Sequence, residues 1–240
     1  MENLKNYLKK KSKGDYKRFK KVTKTDFNEM YGMSCALKEV LKQETSFETL
    51  KELVPANKTE ARKIDRCFRE AYIAFMGFNF INKEYVDEMS KFLEGKKVLE
   101  VMSGNGFFSK MLKETGVDII STDLFIGENN PYGLINVIDK EIENIDAVEA
   151  IEKYGKDMDY VIMSWPPQHT DIASRVVEKI KEVNPDLFII YIGESREGCT
   201  ANDYFFEVIE EVNDENFRSV EYSYVPWEYV HDYPCLFRAK

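Results

Sequence analysis

Long apolar runs are the first thing this 240-residue sequence lacks. No stretch of about 18 consecutive apolar residues occurs, which argues against a membrane-spanning helix. The opening MENLKNYLKKKSKG is too polar for a secretory signal. Cysteine is sparse. Cys35, Cys67, Cys199 and Cys235 are scattered with no CxxC pair, which points to reduced thiols in a cytoplasmic protein. Histidine is sparser still: His169 and His231 stand alone with no ligand spacing between them, which argues against zinc or another metal site. Internal repeats and low-complexity linkers are missing too.

What is present suits an ordinary globular protein. Hydrophobic residues make up 43% and charged residues 32%, enough for one sizeable core or a core with a small subdomain. The net charge of -9 is uneven. Residues 1–24 hold ten Lys/Arg against two Asp/Glu, a local +8, so the remainder carries -17. An acidic body repels nucleic acid, whereas the basic arm of residues 1–24 could reach a phosphate backbone.

Two textures divide the chain. Residues 1–80 read as a helical extension and residues 81–240 as an α/β domain. Asp26 with Glu29 forms a capping-box pattern ahead of Phe27, Met30, Tyr31, Leu37 and Leu41 at helical spacing. Thr45 with Glu48 opens a short helix that stops near Pro55. Asn57 with Glu60 opens a longer one, with Ile64, Phe68, Ala71, Tyr72 and Phe75 on one face. After GFNFIN, a helix over about 83–93 ends at Gly95. From there KVLEV, DIIST, YVIMS and LFIIYIG are short, β-branched strands alternating with amphipathic helices. That alternation predicts a doubly wound, mostly parallel sheet. The last segment, 217–240, reads as two strands joined by a Pro/Trp/Tyr loop, an antiparallel hairpin.

The chemistry concentrates at the carboxyl ends of the strands, where doubly wound sheets bind ligands. VLEVMSGNG ends the first strand in a glycine loop, with Glu100 just before it. A carboxylate there suits a cationic ligand better than a pyrophosphate. Ser109 holds the place of the third glycine in GxGxxG. Asp123 ends the next strand, where a carboxylate can accept both hydroxyls of a ribose. Asp146 follows 23 residues later and can accept from an adenine amino group, with Asp139 in NVID as its competitor.

In these motifs the chain resembles the class I S-adenosylmethionine-dependent methyltransferases. Their first motif, an acid and then GxGxG, has its counterpart in EVMSGNG, with Met102 in place of the first glycine. Asp123 matches their second acidic motif, and Asp146 with Ala147 the third. The resemblance implies a Rossmann-like fold and S-adenosyl-L-methionine as cofactor. It implies a cofactor-binding set of Glu100, Met102, Ser103, Gly104, Gly106, Asp123, Leu124, Asp146 and Ala147. Within that set Asp123 takes the ribose, Asp146 the adenine, and Glu100 with Gly104 the methionine end. YVIMSWPPQ compares with the proline-pair motif of amino-group methyltransferases, Asp or Asn, then Pro-Pro, then an aromatic. Here Trp165 precedes the prolines and Gln168 follows them, so the implied catalytic set is Ser164, Trp165, Pro166 and Pro167. His169 is a candidate base or a surface residue. Over residues 70–240 the order YIAFMGFNFIN, LEVMSGNGFFSKML, ISTDLF, MSWPP, YIGESREGCTANDYFF and VPWEYVHDYPCLFR resembles a methyltransferase-like group. The resemblance implies a loop, Gly193–Thr200, over the site, with Glu194 and Cys199 as pocket residues. It also implies Tyr72, Phe78 and Asn79 at the methionine end.

Three functions are open at this point. The first is methyl transfer to an acceptor the sequence does not name. The second is a nicotinamide-dependent oxidoreductase on the same fold. The third is an inactive methyltransferase-like module that binds RNA through its basic arm.

Overall fold

The structure, a computed structural model, describes residues 46–62, 69–124 and 138–240. The basic arm, the Asp26–Glu29 box, Cys35, Cys67, Ile64 and Phe68 lie outside the described residues. None of the described helices is long and apolar enough to cross a membrane.

The described chain opens with four helices: α1 (Phe47–Lys51), α2 (Lys58–Ala61), α3 (Arg69–Met76) and α4 (Lys83–Phe92). Their starts follow local chemistry. Asn57 and Asn82 cap α2 and α4 by accepting from the backbone N–H three residues on. Glu60 reaches back to the Ala56 N–H at 3.0 Å. The cap of α1 is Ser46 and not Thr45: Ser46 has extended backbone and its hydroxyl oxygen accepts from the Thr49 N–H. Gly95 follows α4 with φ 70°, a left-handed stop.

Seven strands then form one sheet, with helices between them. They are β1 (Lys97–Val101), α5 (Phe107–Glu114), β2 (Asp118–Asp123), β3 (Glu143–Asn144), α6 (Ala147–Tyr154), β4 (Tyr160–Ser164) and α7 (Ile172–Val183). β5 (Phe188–Glu194), α8 (Asp203–Glu207), β6 (Ile209–Glu211), α9 (Arg218–Ser223) and β7 (Asp232–Ala239) complete the chain. The order is β3-β2-β1-β4-β5-β7-β6. The β1–β2, β1–β4, β2–β3 and β4–β5 pairs are parallel, and β7 runs antiparallel to both β5 and β6. This is the doubly wound, mostly parallel sheet that the alternating pattern predicts.

The C-terminal hairpin needs correction. Its second arm is β7, but its first arm is β6, further upstream in VIEEV, and Arg218–Ser223 is helix α9 instead of a strand. Val220 and Ser223, three residues apart, turn inward together over buried Phe217. That helical spacing, and the prior pairing of β7 with Ile209–Glu211, leave the Arg218–Ser223 stretch no strand partner.

Both faces of the sheet are covered. One core joins Val98, Ile162, Ile190 and Leu236 to Phe47 and Leu50 of α1, Phe75 of α3, Tyr85 and Met89 of α4, and Phe107 and Leu112 of α5. The other joins Leu99, Val101, Val161 and Ile189 to Ala150 of α6, Val176 and Ile180 of α7, and Phe205 of α8. Strands buried on both faces explain the unbroken apolar runs. Helices α1, α3 and α4 therefore share the first core with the sheet.

Candidate functional site

The connection from β3 to β4 crosses over β1, so the strand order reverses between β1 and β4. The glycine loop lies at this switch point. Met102, Gly104 and Gly106 all have positive φ, 57°, 62° and 75°. Met102 thus adopts the left-handed backbone of the glycine it replaces, a conformation that costs an L residue on the order of 1–2 kcal/mol. The Ser103 N–H bonds to the Thr122 carbonyl at 3.1 Å and ties the loop to β2.

Two carboxylates anchor the loop. Asp123 Oδ2 accepts from the Gly104 N–H at 2.8 Å. Glu100, 1% exposed, accepts from the Ser109 hydroxyl on α5. The residue that breaks GxGxxG is thus the partner of the loop's acid. Burial pushes the Glu100 carboxyl up to about 7; the Ser109 bond opposes this, and the charges of Asp123 and Asp139 add to it. A carboxyl raised in the folded state binds its proton more tightly there than in the unfolded chain. Its relative stabilisation is therefore full below pH about 4.5 and falls as pH rises towards 7. Glu100→Gln, which removes that titration, is expected to be more stable than the parent above pH 7 by about 3 kcal/mol. The two should converge below pH 4.5, as urea unfolding at several pH values would read.

Glu100, Asp123 and Asp146 sit at or just beyond the carboxyl ends of three neighbouring strands, β1, β2 and β3. Two interstrand spacings put about 10 Å across them. Asp146 caps α6, its Oδ1 accepting from the Val148 N–H at 2.9 Å, and Ala147 begins that helix. Its competitor Asp139 is engaged elsewhere, by Lys113 Nζ at 2.7 Å and the Glu141 N–H at 3.1 Å. Leu124, 48% exposed, presents an apolar side chain just past Asp123.

On the other side of β1, Ser164 ends β4 and the chain turns sharply. Trp165 has φ 53°, and its N–H bonds to the Ile192 carbonyl. Its ring stacks on Phe78 with centroids 5.4 Å apart. Trp165 Nε1 donates to Asp232 Oδ2 at 3.0 Å, and the Tyr224 hydroxyl donates to the same oxygen. Burial raises the Asp232 carboxyl, with the Tyr224 and Trp165 bonds opposing. The Pro166 carbonyl accepts from Ala201, and Pro167 bridges Thr200. The Gly193–Thr200 loop is thereby fastened to the proline pair. Glu194 braces it, accepting from the N–H groups of Cys199 and His231. The charge of Glu194 pushes the exposed Cys199 thiol up, so that thiol is not activated.

Some candidates fall elsewhere. The Tyr72 hydroxyl accepts from the Ile81 N–H, and its ring packs edge-on against Phe80 and Trp227, so it builds the Gly77–Asn82 turn. His169 is exposed. Sequence reasoning passed over Tyr85, Tyr224 and Asp232. Asp232 was detectable as a charge at the head of an apolar strand in HDYPCLF; the two tyrosines carried no signal beyond core spacing.

The residues at the loop fit S-adenosylmethionine. The Ser103 hydroxyl is buried without a partner. Glu100 makes no salt bridge among the described residues, so a cationic ligand would answer its charge. Gly106 is held where a Cβ would stand 2.6 Å from Ile142 Cδ1, which keeps the loop backbone bare.

No protein-family model matches the sequence, and no curated protein does. Solved structures do. The tRNA (uracil-54, C5)-methyltransferase of Pyrococcus abyssi, in complex with S-adenosyl-L-homocysteine, is 18% identical with a TM-score of 0.38. The match covers 66% of this chain and 38% of that one, so this chain spans little more than a third of that enzyme's length. The magnesium protoporphyrin IX methyltransferase of Synechocystis, with S-adenosylmethionine bound, is 10% identical over 65% of this chain and 78% of that one, TM-score 0.43. An O-methyltransferase family protein of Burkholderia thailandensis is 10% identical over 88% and 72%, TM-score 0.43. These likenesses concern the fold alone. The strand order, the single antiparallel strand and the loop after β1 together make this the Rossmann-like fold that a resemblance to class I methyltransferases implies.

Proposed function

We propose that the protein is an S-adenosylmethionine-dependent methyltransferase. One observation carries the reading: three adjacent strand ends present Glu100, Asp123 and Asp146 around a left-handed loop whose Gly104 N–H is bonded to Asp123. Asp123 holds the ribose hydroxyls. Asp146 and Ala147 face the adenine edge, and Leu124 its ring. Glu100, Ser103 and Gly104 hold the methionine end, with Met102 narrowing it. Bound there, the cofactor supplies a methyl group on a sulfonium, an electrophile that needs aim more than acid catalysis. The SWPP turn directs that aim. Its prolines fix the backbone, and Phe78 and Asp232 hold the Trp165 ring in place.

Calorimetric titration of S-adenosylmethionine and S-adenosylhomocysteine into the purified protein tests the reading, with micromolar binding expected. Tighter binding of NADH would replace it with an oxidoreductase. A pH signature should accompany the binding. A cation beside Glu100 favours its ionised form, so affinity is expected to rise with pH up to about 7 and level off above, with proton release on binding below that value. Equal affinity at pH 5.5 and 7.5 would remove Glu100 from the site.

A further inference from the structure

A cluster of buried polar atoms gathers around Asn79, Tyr85 and Asp232. Strand alternation places Glu100, Ser164 and Asp232 on the face that carries Val98, Ile162 and Leu236, under α3, α4 and α5. Asp232 is fully buried. Its Oδ2 takes the Trp165 and Tyr224 bonds, but its Oδ1 has no partner. The Tyr85 hydroxyl on α4 is likewise buried; it makes no hydrogen bond of good geometry, and the Asn79 amide is the side-chain group within its hydrogen-bonding reach. Both polar atoms of the Asn79 amide, a side chain 4% exposed, are buried without a hydrogen bond of good geometry too. These groups share one neighbourhood: Tyr85 packs edge-on against Tyr224 at 5.1 Å, next to the Asn79 amide and in the field of Asp232 and Glu100.

An orphaned buried polar atom costs roughly 1–3 kcal/mol, so the bare Asp232 Oδ1 and Asn79 Oδ1, side by side with a loosely bonded Tyr85 hydroxyl, ask for a ligand. Their chemistry names it. Asp232 Oδ1 and Asn79 Oδ1 only accept, and the Asn79 Nδ2 donor is answered by the Tyr85 oxygen beside it, so the open positions call for a donor. Neither Asp232 nor Glu100 makes a salt bridge among the described residues. Trp165, Tyr85 and Tyr224 supply aromatic walls. A group with several N–H donors, a full positive charge and affinity for rings is an ammonium.

We propose that Asn79, Tyr85 and Asp232 form a site for a primary ammonium group, with Trp165 and Tyr224 as walls, and that this group belongs to the methyl acceptor, a small aliphatic amine. The inference rests on the methyltransferase reading. The cofactor's own amino group is the other source of the same chemistry, but it is less well placed. The cofactor cradle spans β1, β2 and β3, whereas Asp232 heads β7, three strands away on the opposite side of β1. That is about 14 Å at ordinary strand spacing. Trp165 sits beside the cluster, one edge on Asp232 and one face on Phe78.

Ligand-observed NMR titration of n-butylamine and n-butanol into the full chain, with and without saturating S-adenosylhomocysteine, tests the site. The expected result is at least a ten-fold preference for the amine, retained with S-adenosylhomocysteine bound. Asp232→Asn should erase the preference and leave S-adenosylhomocysteine affinity unchanged. Tyr85→Phe, which deletes a single hydroxyl whose side-chain hydrogen-bond neighbour is Asn79, should keep the fold and weaken the amine several-fold. No preference in the wild type overturns the inference, the orphaned atoms then holding only water, while the methyltransferase reading stands. Competition between the amine and S-adenosylhomocysteine, with Asp232→Asn weakening both, overturns it in favour of the cofactor's amino group. If S-adenosylhomocysteine does not bind, the methyltransferase reading fails and the acceptor assignment falls with it. The titration in its absence then decides the ammonium site alone.

Discussion

Asp123→Ala is expected to weaken S-adenosylmethionine binding by roughly 100-fold. Asp123 ends β2, 8% exposed, and one of its oxygens holds the Gly104 N–H at 2.8 Å. Hydrogen bonds to a charged group contribute about 1.5–3 kcal/mol each, and a ribose offers two hydroxyls to one carboxylate. Losing both bonds outweighs the small gain from removing a desolvated charge. The variant also releases the loop from β2 at Gly104, so the remaining contacts are less preorganised. Asp123→Asn keeps an acceptor but not the charge, and should lose roughly ten-fold. Calorimetry on the three proteins checks the order. Wild-type affinity in Asp123→Ala would move the ribose elsewhere and dismantle the cofactor cradle as drawn.

Gly106→Ala is the largest destabilisation we anticipate. Gly106 precedes α5 with φ 75°, and a methyl group there would stand 2.6 Å from Ile142 Cδ1 and 2.7 Å from Asp139 Cβ. The left-handed backbone costs about 1–2 kcal/mol for alanine, and overpacking adds about 1–3. Asp139 does not give way easily: Lys113 holds its carboxylate, and the Asn105 carbonyl accepts from the N–H groups of Ile138 and Asp139. A loss of about 3 kcal/mol lowers the melting temperature of a domain this size by roughly 10 °C. Circular dichroism melts would show it. A shift under about 2 °C would mean that the segment around Asp139 moves freely and that the loop does not depend on a bare backbone.

Much of the sheet was legible because buried parallel strands announce themselves. KVLEV is β1 residue for residue, and DIIST, YVIMS and LFIIYIG fall within one or two residues of β2, β4 and β5. The cap at Asn57 was equally local, a side chain meeting the N–H three residues on. β3 and β6 escaped notice because two and three residues carry no periodicity. Arg218–Ser223 was misread because six residues with two buried positions, Val220 and Ser223, are too short to separate a three-residue helical spacing from a strand. Only the partner available to each decides between them.

The sequence by itself determined the alternation of strands and helices, the glycine loop and the acids at the ends of two strands. Each of these is a matter of neighbours along the chain. The tertiary structure alone decided that Ser109 partners Glu100, that Lys113 occupies Asp139 and leaves Asp146 at the strand end, and that Asp232 meets Trp165 across 67 residues. It also gathered Asn79, Tyr85 and Asp232 into one buried cluster. Such pairings follow from sheet order and from which face a side chain occupies, and long-range burial sets both.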